Sequence, residues 1–172
     1  ASKRGWTTWL TAAYDAFLAN PADRRVKAIV PWVIDVLNID EQMVHHKAAY
    51  EGVTEHIYGG YSEEVHDYVE LNVMDRLGTT EGQALLEIVD PYEYRDRYAD
   101  IPKYLINATG DEFFVPDSAQ FYFDDLPGEK YLRYLPNSGH GGSEEVILSA
   151  LQGITSFYDA VNDGTDMPEF SW

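Results

Sequence analysis

Apolar positions recur along this chain with two different periods, and the switches between them mark out helices and strands. From Lys3 to Leu18, the residues Trp6, Trp9, Leu10, Ala13, Tyr14 and Phe17 fall at helical spacing, and Asn20-Pro21 ends the run. Val26 to Leu37 is almost continuously apolar and rich in Val and Ile, the pattern of a strand buried on both faces. Asp40 to Ile57 predicts a helix, stopped by Tyr58-Gly59-Gly60. Ser62-Glu63-Glu64-Val65 has the form of a serine-capped helix start, with Val65, Tyr68, Val69, Val73 and Leu77 following it. Thr80 to Val89 predicts a short helix, and Asp90-Pro91 opens a turn or a further helix. Tyr104–Thr109 and Lys130–Leu135 predict strands, with a helix near Asp117 to Phe123 between them and a last helix from Ser143 to Val161.

Strands separated by helices imply right-handed crossovers and a parallel sheet, so the expected class is α/β. The block from about 40 to 100 has no clear strand and is expected to cover one end of the sheet as a helical cap. Residues 1–172 then form a single segment with one core, without internal repeats or low-complexity tracts. A domain of this size buries about two thirds of its unfolded surface, enough for a sizeable core.

Composition narrows the partners. The net charge of -18 argues against nucleic acid and anionic membrane, because binding to phosphate relies on clustered Lys and Arg. It fits a soluble or salt-adapted surface. No run approaches the roughly 18 apolar residues of a membrane span. The absence of cysteine excludes disulfides, thiol catalysis and Cys-based zinc sites.

The chemistry sits where the last two strands end. The first runs into Gly110-Asp111-Glu112-Phe113-Phe114-Val115-Pro116-Asp117, the second into Pro136-Asn137-Ser138-Gly139-His140-Gly141. An aspartate and then a histidine at the ends of neighbouring strands is how a Ser-His-Asp triad places its acid and its base. A serine hydroxyl is a weak nucleophile until an imidazole takes its proton, and the imidazole needs a carboxylate to fix its tautomer. The chain order Ser, Asp, His requires an upstream serine, and Ser2 in Ala1-Ser2-Lys3-Arg4-Gly5-Trp6 fills that place at the head of a helix. There the Lys3 N–H would face a developing oxyanion, and Gly5 would let the helix pack closely behind the turn. Each residue also has a plainer reading: Ser2 as a helix N-cap, Asp111 as a turn aspartate, His140 as a loop histidine. Glu112 and Asp117 compete with Asp111 as the acid, although Asp117 reads better as a helix cap.

The remaining candidates are weaker. Arg4 could bind a substrate anion, or be solvated. His45 and His46 border the predicted pocket, but neighbours on a helix splay by about 100° and do not share a metal easily. No metal and no cofactor is expected. Asn107-Ala108-Thr109 matches a glycosylation sequon but lies in a predicted buried strand. With no Met at residue 1, no strand before Ser2 and a polar stretch from Asp163 to Trp172, the chain reads as an internal segment of a longer protein.

The stretch from Ala1 to Leu10, together with Val26-Lys27-Ala28-Ile29-Val30-Pro31 and Val33 to Asn38, resembles the PhoPQ-activated pathogenicity-related protein family. Asp90-Pro91-Tyr92, the run from Asn107 to Phe114, and Pro136-Asn137 before His140 continue the likeness over nearly the whole chain. The resemblance implies the C-terminal part of an α/β-hydrolase fold, with Ser2, Asp111 and His140 as the triad. The family's substrate is poorly defined, and a triad of this kind is expected to act on a small-molecule or peptide substrate. It also implies a periplasmic or extracellular protein whose missing N-terminal half completes the fold and supplies the second oxyanion donor. One departure stands out: the position two after Ser2 is Arg4, where the G-x-S-x-G elbow has glycine, and the glycine follows at Gly5. That Ser-basic-x-Gly order resembles the glucuronoyl esterases, where the basic residue after the serine assists the oxyanion, and by that analogy Lys3 takes the role.

Overall fold

The computed structural model describes residues 1–18 and 20–168. The end of the polar stretch read from Asp163 to Trp172 therefore lies outside the described residues. Helix α1 spans Lys3–Leu18. Its buried side presents Trp9, Ala12 and Ala13 to Ile29, Leu37, Tyr98, Ile101 and Leu105. Trp9 meets Tyr98 edge-on at 4.9 Å between ring centroids. Trp6 also ties the helix to the rest of the chain, its indole N–H donating to the Val89 carbonyl at 2.7 Å.

The apolar run from Val26 to Leu37 was expected to be one strand, and only its middle behaves so. Ile29 bridges to Lys103 and Trp32 to Ile106, both parallel. Ile29 donates to the Pro102 carbonyl (3.0 Å) and Val33 to that of Ile106 (2.7 Å). Between those two donors stands Pro31, which has no N–H, so the rung that would reach Tyr104 O is missing. Pro31 still accepts from Ile106 N at 3.0 Å. Val33 then turns to φ 44°, unusual for a β-branched residue, and the pairing stops.

After this extended segment comes helix α2, Ile39–Ala49, shorter than the expected 40–57 stretch. The hairpin β1 (Ile57–Tyr58) and β2 (Tyr61–Ser62) follows, unforeseen because two residues per strand are too few to show alternation. Ser62 does cap the next turn, its hydroxyl accepting from Glu64 N at 3.4 Å. The helix expected beyond it is broken into a 3-10 turn at Glu63–Val65, α3 at His66–Glu70 and α4 at Val73–Arg76. Asn72, between the last two, sits at φ 53° and interrupts the helical path. Helix α5 covers Thr80–Val89. Asp90 opens a 3-10 helix over Pro91–Tyr98, accepting from Tyr92 N while also binding the N–H groups of Asn38 and Ile39 at the start of α2.

Strands β3 (Lys103–Ala108) and β4 (Lys130–Leu135) pair in parallel, Lys103 opposite Lys130 through Ala108 opposite Leu135. β3 is the central rail, flanked by β4 and the Ile29–Val33 segment. Helix α6, Glu144–Asp163, closes the second face, where Ala150 packs with Ile106 and Leu135. The helix expected near Asp117 to Phe123 is a 3-10 turn at Ser118–Phe121. Lys103 is fully buried at the start of β3. Its ammonium reaches the carbonyls of Tyr98, Ile101, Pro127 and Glu129 at 2.6 to 3.3 Å, joining the two ends of the crossover at the base of the sheet. Burial draws its pKa down to about 8.

Candidate active site

Three separate pieces of chain meet at the carboxyl ends of the strands. Ser2 heads α1 with φ 51°, a left-handed conformation that costs a non-glycine residue about 1–2 kcal/mol. Its own N–H is held by the Trp32 carbonyl at 2.9 Å, and Gly5 N closes the turn onto Ser2 O at 2.6 Å. Gly5 is required here: a Cβ at that position would overlap the Ile34 side chain. Strain of this kind projects a side chain off the end of a helix.

Asp111 leaves the turn after β3 with a carboxylate that is nearly enclosed. Its Oδ1 accepts from the backbone N–H of Phe113 (2.8 Å) and Phe114 (3.3 Å). Burial pushes this carboxyl above its ordinary range, and the two N–H groups and the His140 ring act against that rise. His140 sits in the turn after β4, with Nδ1 2.9 Å from Asp111 Oδ2 and 3.1 Å from Oδ1. On the other side of the ring, Nε2 lies 2.9 Å from Ser2 Oγ. An ionised Asp111 selects the tautomer with hydrogen on Nδ1, so the Ser2 hydroxyl donates to Nε2. This order of bonds lets an imidazole take a hydroxyl proton while a carboxylate stabilises the cation that forms. Phe113 lies against the imidazole at 4.5 Å between centroids, and Phe114 at 6.1 Å.

The other sequence candidates separate clearly. The Lys3 N–H is the first of helix α1 and has no acceptor among the described residues, so it is available to a ligand beside Ser2. The Lys3 and Arg4 side chains are exposed. His45 is half-buried, with Nε2 2.7 Å from Asp117 Oδ1 and its ring 5.0 Å from Phe121. Asp117, expected to cap a helix, makes no side-chain cap bond and points to His45 instead. His46, expected to border the pocket, is 2% exposed and stacks on Tyr50 at 4.9 Å. Burial lowers its pKa to about 4, and its neutral Nε2 accepts from Ser62 N at 3.2 Å. It is a packing residue. Glu112, weighed against Asp111 as the acid, uses its carboxylate on the backbone of His140. Asn107 is buried and donates to Asp35, which fits the dismissal of the sequon.

Two features escaped the sequence reading. Asp35 is 2% exposed inside what read as an apolar strand, and it accepts from Asn107 with the Tyr122 phenol beside it. Ser62 makes a second bond besides its cap, to the Glu112 carbonyl, and no local pattern signals a contact fifty residues away in the chain. Among the described residues no group of three or more His, Asp or Glu is arranged to hold a metal, and no helix is long and apolar enough to cross a membrane. A cavity of about 1210 Å³ runs along the start of β4, bordered by Tyr104, Tyr131, Arg133 and Phe157, and Ser2, Asp111 and His140 take no part in its walls.

The sequence matches the PhoPQ-activated pathogenicity-related protein family over residues 1–172. The chain belongs to that family. Autocrine proliferation repressor protein A of Dictyostelium discoideum is 40% identical over 177 residues, covering 100% of this chain and 32% of the relative. The chain thus spans about a third of that protein's length. Among solved structures, Est1E from Butyrivibrio proteoclasticus aligns with a TM-score of 0.53 at 16% identity, covering 94% of this chain and 59% of that structure. Acetyl xylan esterase 1 from Thermoanaerobacterium sp. JW/SL YS485 aligns at 0.50 and 17% identity, over 88% of this chain and 42% of its own. DcsB, solved with a substrate analogue, aligns at 0.51 and 15% identity, over 91% and 61%. At such identities the likeness concerns the fold. This family member has the C-terminal part of an α/β-hydrolase fold, with its parallel strands flanked by α1 and α6.

Proposed function

We propose that this segment carries the triad of a serine hydrolase that cleaves an ester or amide through an acyl-enzyme. Ser2 attacks the carbonyl carbon while His140 Nε2 takes the hydroxyl proton. Asp111 keeps the imidazole in the right tautomer, and the Lys3 N–H stabilises the oxyanion. The proton on His140 then passes to the leaving alcohol or amine. Water repeats the sequence to free the acid. The observation that carries this reading is the unbroken line from Asp111 through His140 to Ser2, made by residues up to 138 positions apart in sequence. A small ester is the first substrate class to test, since one of the structural relatives is named as an acetyl xylan esterase. The block from 40 to 100 acts as the cap that shapes the pocket. The second oxyanion donor comes from the N-terminal half of the fold.

A second reading is favoured by the name of the 40% identical relative, a repressor of proliferation. It makes the protein a signal or binding partner that keeps the fold without needing turnover. A fluorophosphonate probe separates the two on the full-length protein. The hydrolase reading expects a phosphonyl adduct on Ser2, absent from Ser2→Ala and reduced by about 10³-fold or more in His140→Ala. Folded wild-type protein that takes no label would favour the binding role.

A further inference from the structure

His140 sits in the most glycine-rich turn of the chain, Ser138-Gly139-His140-Gly141-Gly142, which has great backbone freedom unless something restrains it. Asp111 restrains the ring only. The backbone of the turn is tied at its entry, where Gly110 N donates to Ser138 O (2.9 Å) and Asn137 N to the Thr109 hydroxyl (2.9 Å). At His140 itself the tie is Glu112: its Oε2 accepts the His140 N–H at 2.7 Å, a charge-assisted bond. Glu112 also packs on the preceding residue, since a Cβ on Gly139 would lie 2.6 Å from Oε1. The two successive carboxylates after β3 thus hold one histidine at two points, Asp111 by its ring and Glu112 by its backbone.

Glu112 is in turn held from the α2–β2 block. The Ser62 hydroxyl, on a residue 4% exposed, donates to the Glu112 carbonyl at 2.6 Å while accepting from Glu64 N. Ser62 N donates to buried His46 on α2. Three consecutive hydrogen bonds thus form a path from His46 through Ser62 and Glu112 to His140.

We infer that Glu112 is a positioning residue for His140, and that Ser62 couples the α2–β2 block to the base through it. This rests on the hydrolase reading for its catalytic consequence, though not for its geometry. When the block shifts, for instance as a substrate enters beneath it, the Ser62 bond moves Glu112 and with it the turn that aims Nε2 at Ser2. The block would then control turnover as well as access.

The test uses the full-length protein and two readouts, amide hydrogen exchange of residues 138–142 and the rate of fluorophosphonate labelling at Ser2. Glu112→Ala should speed exchange in that turn by about tenfold and slow labelling by a similar factor, with protection elsewhere unchanged. Glu112→Gln keeps an acceptor oxygen and should restore most of both. Ser62→Ala should show the same pattern more weakly. The inference is overturned if Glu112→Ala leaves exchange at 138–142 as in wild type, if exchange rises throughout the protein, or if Gln restores nothing. Should wild-type Ser2 take no label, the hydrolase reading fails, and the exchange readout still decides whether Glu112 holds the turn.

Discussion

Two buried aspartates stand at the carboxyl ends of neighbouring extended segments, Asp35 beyond Ile29–Val33 and Asp111 beyond β3. They are 2% and 8% exposed. Burial raises the pKa of both. Asp111 receives two backbone N–H groups and an imidazole. Asp35 receives one amide, from Asn107 at 3.1 Å, and its Oδ1 has no partner among the described residues. The Tyr122 hydroxyl faces it without a well-formed hydrogen bond, and the negative charge of Asp111 adds to its difficulty. Its pKa is consequently pushed up to about 7. Position and burial alone therefore do not tell the two aspartates apart. The donors gathered around the carboxylate distinguish them.

The largest expected contrast is catalytic. Asp111→Asn should slow fluorophosphonate labelling of Ser2 by about 10³- to 10⁴-fold, because an asparagine amide favours the wrong imidazole tautomer. Asp35→Asn should stay within about threefold of wild type, since among the described residues the hydrogen bonds of His140 go to Asp111, Ser2 and Glu112. Comparable losses in both variants would make the two aspartates a joint acid and erase the distinction.

The sequence exposed one half of this comparison and hid the other. Asp111 and His140 were legible because each ends a strand of plain apolar pattern and enters a glycine turn. Ser2 followed from the order of the triad, and Gly5 from the need for a close helix. Asp35 was hidden by its neighbours: Val33, Ile34, Val36 and Leu37 make the run look like unbroken strand. What breaks it is the donor missing at Pro31 and the positive φ at Val33, and the second is a property of the folded chain. The β1–β2 hairpin is too short to have a period. The Ser62–Glu112 bond joins two loops distant in sequence, and no local spacing reports such a meeting.

The second contrast is in stability, and its sign follows from the direction of the Asp35 shift. A carboxyl whose pKa is near 7 when folded and near 4 when unfolded binds its proton more tightly in the native state. Its protonated form stabilises the fold at low pH, and that contribution is lost as pH rises through about 4 to 7. Asp35→Asn mimics the protonated form at every pH. The variant should gain on wild type by on the order of 2 kcal/mol between pH 5 and pH 8, read from urea unfolding of both proteins at each pH. The gain should level off above pH 8. Asp111→Asn should show no such gain, because losing the ionised form also loses the bond to His140. A pH-independent difference for Asp35→Asn would mean that Asp35 is ionised throughout.

The smallest effect concerns Tyr122, 1% exposed, whose hydroxyl faces Asp35. A buried hydroxyl that makes no hydrogen bond costs desolvation without return, so its removal is neutral or favourable. Tyr122→Phe should therefore change stability by about 1 kcal/mol or less at pH 6, in the stabilising direction. The informative measurement is the same variant at pH 8. There Asp35 is largely ionised and has the strongest need of a donor. If Tyr122→Phe is still neutral, Asp35 is a lone buried charge, as its single amide partner implies. If the variant instead loses more than about 1 kcal/mol at pH 8 and nothing at pH 6, the phenol turns to meet the carboxylate when it ionises. Asp35 would then gather donors as Asp111 does, and the difference between the two aspartates would narrow to the presence of His140.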